Sequence, residues 1–133
     1  MSLQALYSTI KGEVDSDSDS DGSEDSDMDL KNISPDRLMF ATNFDATDNL
    51  FTCIQVNTVM YSENDGKEQQ FDGYILVDAS IKYDMQKYGR LTFAAENVMD
   101  KFYVGYFSQI RKHSSYYFSG RGRNYSLSYQ FNF

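Results

Sequence analysis

Apolar and polar side chains alternate through most of this chain. Leu38, Phe40, Thr42 and Phe44 fall on one parity, with Arg37, Met39, Ala41 and Asn43 on the other. Ile75, Val77, Ala79, Ile81 and Tyr83 alternate with Asp78, Ser80, Lys82 and Asp84. Leu91, Phe93 and Ala95 alternate with Arg90, Thr92 and Glu96. Leu50, Ile54, Val56 and Met60 stand opposite Gln55 and Asn57. The last residues repeat the theme, with Leu127, Tyr129, Phe131 and Phe133 against Asn124, Ser126, Ser128, Gln130 and Asn132. Successive strand side chains point to opposite faces, so each segment predicts a strand with one greasy face and one wet face. The strands predicted are 36–45, 49–61, 73–85, 88–98 and 123–133. A first strand over 3–14 has a weaker pattern, because Leu3, Leu6, Tyr7 and Ile10 do not keep one parity.

The connections alternate in length. Long ones lie at about 15–35, 62–72 and 99–122, and short ones at Ala46–Asp48 and Gln86–Lys87. The chain divides into a first strand (1–14), an acidic loop (15–35) and five further strands with their connections (36–133). The terminal segment 123–133 has eleven residues, which matches the roughly 9–11 that a tilted strand needs to cross a bilayer. Ending on alternating aromatics that close on Phe is how bacterial outer-membrane barrels end. Such barrels have short periplasmic turns and long outer loops. All short turns fall on the periplasmic side if the C-terminus lies there.

Composition fits that class. Eleven Tyr and ten Phe occur among 133 residues, with no Trp and one Pro. No apolar run approaches the ~18 residues of a membrane helix, which excludes helical spans and leaves barrel strands open. The single cysteine, Cys53, has no internal disulfide partner and is read as filling a strand face. The net charge of −8 is concentrated, with nine carboxylates between Glu13 and Asp29 and no base among them. Such a run repels itself and buries no core, so it reads as a solvated loop. The N-terminus, MSLQALYSTIKG, has no apolar core of a signal peptide. An outer-membrane protein must be exported, so the chain is expected to be a fragment or a truncated reading frame.

A set of short motifs extends this reading. Gly73-Tyr74 leads through Val77-Asp78 into one strand, and Gly89-Arg90-Leu91 starts the next. Glu96-Asn97-Val98-Met99-Asp100-Lys101-Phe102-Tyr103 follows, then Gly120-Arg121-Gly122-Arg123-Asn124-Tyr125. Upstream stands Asn32-Ile33-Ser34-Pro35-Asp36-Arg37. Together, from Asn32 to Phe133, these resemble the C-terminal end of a TonB-dependent outer-membrane receptor, with the siderophore-receptor branch the nearest. The resemblance implies an all-β chain of about six antiparallel membrane strands, a partial segment of a 22-stranded outer-membrane β-barrel. It also implies a location in the bacterial outer membrane and a role in uptake of a ferric siderophore or similar ligand. The implied partners are a plug domain and the remaining barrel strands, the TonB complex, the barrel-assembly machinery and lipopolysaccharide. The terminal Leu127, Tyr129, Phe131 and Phe133 resemble the signal read by that machinery. The chain departs from the pattern in lacking a plug and a TonB-contacting segment, so it is expected to be inactive alone.

The remaining chemistry has bland alternatives. Asp17-x-Asp19-x-Asp21-Gly22 resembles half of a calcium loop, but Met28 stands where a bidentate Glu belongs. Asp17, Asp19 and Asp21 are therefore weak calcium candidates in an otherwise solvated loop. Tyr106, Arg111 and Tyr116 are candidates for contact with a ligand, against a plain aromatic girdle and rim. Arg121 and Arg123 are candidates for lipopolysaccharide phosphates, or alternatively for an anionic ligand. His113 is the only histidine, so no His-based metal or triad site is expected. Asp78, Lys82 and Glu96 should face the lumen and pair within the wall or with a plug rather than act in catalysis, because no nucleophile or base accompanies them. No enzyme activity, cofactor or nucleic-acid partner is expected. The competing class is a small soluble β-barrel or an acidic calcium-linked adhesion module.

Overall fold

The structure is a computed structural model, and it describes residues 1–10, 13–14, 26–27, 34–63, 70–110 and 118–131. It is all-β, built on one six-stranded antiparallel sheet. The strands are β1 (Ser2–Ser8), β2 (Glu13–Val14), β3 (Ser26–Asp27), β4 (Arg37–Thr47), β5 (Leu50–Val59), β6 (Ser62–Glu63), β7 (Gln70–Phe71), β8 (Tyr74–Asp84), β9 (Arg90–Glu96) and β10 (Asn124–Gln130). The main sheet has the order β1-β4-β5-β8-β9-β10, a meander in which each long strand pairs with the next. β2–β3 and β6–β7 are separate two-residue ribbons. One helical turn, α1 (Tyr106–Ile110), follows β9.

The register carries the parity of the sequence across the sheet. One row runs Leu3, Thr42, Ile54, Ala79, Ala95, Tyr125 from β1 to β10. The next runs Phe44, Thr52, Ile81, Phe93, Leu127. On the opposite face a row runs Ser2, Asn43, Cys53, Ser80, Ala94, Ser126. Cys53 thus fills a strand-face position between Asn43 and Ser80, as expected. Asp78, Lys82 and Glu96 all lie on this polar face. A slip of one residue at any pair would put apolar side chains among polar ones, which is why alternation specifies register so strongly.

Several expected boundaries shift: the strands expected over 88–98 and 123–133 span only Arg90–Glu96 and Asn124–Gln130 among the described residues, and two further shifts have local causes. The first strand joins the sheet only over Ser2–Ser8, and Glu13–Val14 pairs instead with Ser26–Asp27. The β1–β4 ladder stops where Ser8 meets Arg37, just after Pro35, which has no N–H to continue it. The expected turn at Ala46–Asp48 moves to Asp48 and Asn49. β4 runs on to Thr47 because its register with β5 shifts between Asp45 and Thr47, a bulge that absorbs one residue.

Both short turns lie at one end of the sheet. The β8–β9 turn is closed by the Met85 amide on the Gly89 carbonyl at 2.8 Å, with a single 3₁₀ turn over Gln86–Tyr88. Gly89 has φ +105°, and a Cβ there would lie 2.3 Å from the carbonyl oxygen of Gln130 on the neighbouring chain segment. Gly89→Ala is therefore expected to cost about 1–3 kcal/mol, read as a lower unfolding midpoint in detergent. Gly105→Ala, with no atom within 4 Å of the new Cβ, is the neutral control. Equal midpoints for the two variants would refute this account of Gly89.

Every longer connection lies at the other end. Two of these, between β5 and β8 and between β9 and β10, build the small core of the molecule there. Val59, Phe71 and Tyr106 are buried and Tyr74 packs against them. No second layer covers either face of the sheet among the described residues.

Candidate functional site

The feature with functional content is the apolar face. All six long strands contribute to it, and its large side chains are exposed: Tyr7, Phe40, Ile54, Ile81, Phe93 and Leu127 among them. Leu127 is 69% exposed and Leu3 62%. Exposed apolar patches beyond a few hundred Å² mark a surface that meets a membrane or a partner. Aromatic side chains gather toward the two ends of this face. Tyr7 and Tyr125 lie at the long-loop end. Phe44, Tyr83 and Tyr129 lie at the short-turn end, with Phe131 stacked on Tyr129 at 6.5 Å. Between them the face is filled by such residues as Ile54, Ala79, Ala95 and Phe93. Tyr129 also donates its hydroxyl hydrogen bond to the Tyr88 carbonyl, so one edge aromatic is tied to the β8–β9 turn.

The opposite face carries a polar network. Gln55 Nε2 donates to Asn57 Oδ1 at 3.0 Å, and Asn57 Nδ2 donates to Asp78 Oδ2 at 3.0 Å. Asp78 Oδ1 accepts the Asn97 amide at 2.9 Å. Asp78 is thus hydrogen-bonded on the polar face of the sheet to Asn57 and to the Asn97 backbone. At the short-turn end Arg90 sits 3.1 Å from Asp84.

Asn97 is the hub of the long-loop end. It is only 3% exposed and has φ +49°, a conformation that Asn tolerates better than most residues. Its Nδ2 donates to the carbonyls of Lys101 at 2.9 Å and Arg121 at 3.1 Å, and its Oδ1 accepts the Lys101 amide at 2.8 Å. One side chain therefore pins both stems of the last long connection. Asp100 assists, accepting the Arg123 amide at 2.9 Å, with its other oxygen 3.8 Å from the Arg123 guanidinium. Gly120 lets the Tyr103 ring lie against the backbone, since a Cβ would fall 2.0 Å from that ring.

A second tie joins two connections. The Asp72 amide donates to Gln109 Oε1 at 2.9 Å, and Gln109 Nε2 donates to the carbonyls of Asp72 at 3.2 Å and Val104 at 2.8 Å. Beneath it the Phe71 ring meets Tyr106 edge-on at 5.5 Å and Tyr74 at 6.1 Å. A groove of about 430 Å³ opens beside this core, between the segment around Asp72 and the segment from Lys101 to Val104. Nearby, the Glu63 carboxylate accepts the Tyr61 hydroxyl at 2.5 Å and holds that phenol above its ordinary pKa range.

The expected site residues divide accordingly. Tyr106 does not present its ring for stacking on a ligand: it is 6% exposed, packed on Phe71. Arg121 is exposed and lies outside β10, which begins at Asn124. Arg123 is engaged by Asp100. Leu127 and Tyr129 lie on the apolar face opposite Phe93 and Leu91. Asp17, Asp19, Asp21, Arg111, His113, Tyr116 and Phe133 fall outside the described residues. No three His, Cys, Asp or Glu side chains gather around a common point among the described residues. Asn97 and Gln109 were not singled out from sequence. The run Asn97-Val98-Met99-Asp100, rich in turn formers just after a strand, carried a signal for the first. Gln109 carried none.

No helix among the described residues is long and apolar enough to cross a membrane, which says nothing of a crossing made by strands. No family model matches the chain, and no curated protein or solved structure matches it.

Proposed function

We propose that this chain is a wall segment of an outer-membrane β-barrel, from the C-terminal part of a TonB-dependent receptor that takes up a ferric siderophore or similar ligand. The observation that carries the membrane part is a predominantly apolar face over six strands, backed by a more polar one. Lipid contacts the first, and the lumen side of the barrel lies along the second. β4 and β8 have eleven residues and β5 has ten, the length a tilted membrane strand needs. The two short turns lie at one end and the long connections at the other, as in barrels with periplasmic turns and outer loops. The receptor assignment rests on the motif set alone. Asn97, Gly89 and Gly120, all within those motifs, have specific structural work here.

Backbone groups in lipid must all be paired, so a membrane sheet has to close. Six strands do not close by themselves, since small barrels need about eight. The chain alone accordingly transports nothing, and its strands belong to a larger wall.

Topology is the test. Cysteines placed at Ser23 and at Asp48, each with Cys53→Ser, are exported behind a signal peptide. Ser23→Cys reacts with an impermeant thiol reagent on intact cells, whereas Asp48→Cys reacts only after the outer membrane is breached. The reverse pattern, or recovery of the chain as a detergent-free soluble monomer, would overturn the reading in favour of a soluble module.

A further inference from the structure

Among the described residues, both edges of the main sheet lack the devices that keep a strand edge unpaired. β1 reads SLQALYS and β10 reads NYSLSYQ, without a charge, a proline or a glycine. Soluble sheets blunt their edges with charged residues, proline or bulges. Here the charges and the bulge sit inside the sheet instead, at Arg37 and Asp45 on β4, Asp78 and Lys82 on β8, and Arg90 and Glu96 on β9. An edge free of charge on both sides of the molecule is an edge made for pairing.

The two edges also fit each other. Each strand has seven residues. In a six-stranded antiparallel meander the first and last strands run in opposite directions. Laying β10 of one molecule beside β1 of another therefore extends the ladder in the antiparallel sense and keeps all short turns at one end. Parity agrees as well. A centred register sets Leu3 opposite Tyr129, Ala5 opposite Leu127 and Tyr7 opposite Tyr125, so the apolar face continues across the junction. Within a single molecule four strands separate these edges, and six strands are too few to close.

We infer that the chain associates with further copies of itself by pairing β10 of one with β1 of the next. The contact is head-to-tail, so it leaves a free β1 and a free β10 at the ends until a ring closes. This goes beyond the receptor reading and does not depend on it.

Two single-cysteine chains test it in detergent micelles, Ala5→Cys and Leu127→Cys, each with Cys53→Ser. Mixed and oxidised with copper phenanthroline, they should give a disulfide dimer that is lost when either is oxidised alone. Replacing Leu127→Cys by Ser126→Cys, whose side chain points to the other face, should lose most of that dimer. A dimer as strong from one variant alone, or equal yields with Ser126→Cys, would overturn the inference. Sedimentation of the unmodified chain in detergent guards against variants that fail to fold: a mass of one chain overturns the inference, and multiples of it support it.

Discussion

Phe93→Arg should expel the chain from bilayers. Phe93 lies at the middle of β9, flanked on the apolar face by Ile81 and Leu127. A cation at the midplane of a lipid-facing barrel strand costs about 2–4 kcal/mol. The expected result is a loss of some 30- to 1000-fold in the folded, membrane-bound fraction, by the same free energy converted at 1.4 kcal/mol per tenfold. It is read by urea titration of the chain reconstituted with lipid vesicles. Thr92→Arg, one residue away on the polar face, should cost far less. Equal losses for the two would mean that the apolar face does not meet lipid, and the membrane reading would fall with it.

Phe71→Ala should loosen the long-loop end while leaving the sheet intact. Phe71 has no exposed surface and meets the rings of Tyr74 and Tyr106 edge-on. Removing a buried aromatic costs about 3–5 kcal/mol, of which each ring contact supplies roughly 0.5–1.5 kcal/mol. Two connections meet at this core, and among the described residues the Gln109 hydrogen bonds join them as well. Hydrogen exchange should therefore accelerate at the Asp72 and Gln109 amides, with protection unchanged in the β1–β4 ladder. Phe102→Ala, at a side chain 75% exposed, is the control and should change neither. Loss of protection across the whole sheet would show that Phe71 supports the global fold and not a local tie.

The placement of this core bears on function. No second layer covers the large apolar face among the described residues, and the buried aromatics sit where the long connections leave the sheet. There they hold the segment around Asp72 against α1, and Asn97 holds both stems of the last connection. If that end meets a ligand, packed rings and backbone hydrogen bonds set the shape of its described part. Tyr106 contributes from inside this packing, which is why an aromatic read from sequence as a contact residue turns out to be a structural one.

Pairing with β4 assigns the faces of β1, whereas the class of the fold, the number of long strands and the faces of the five later ones are legible in the residue pattern. That much is local, because alternation needs only the two-residue period of a strand, and each strand of Leu38–Phe44, Ile75–Tyr83 or Leu91–Ala95 states its own parity. The pairing of β4 with β5 and of β8 with β9 was legible for a related reason, because a short turn makes neighbours in sequence neighbours in space; the three pairings across long connections were not. The end of β1 depends on its partner: the ladder stops at Ser8 opposite Arg37, two residues short of Pro35 on the approach to β4. Only the tertiary structure placed the bulge between Asp45 and Thr47, since one extra residue leaves the alternation of each half unchanged. The roles of Gly89, Asn97, Gln109 and Tyr106 were likewise decided by what crosses them from distant segments: the Gln130 carbonyl, the Arg121 carbonyl, the Asp72 backbone and the Phe71 ring. Periodicity reports which way a side chain points. What it meets there is a matter of long-range packing, which no window along the chain contains.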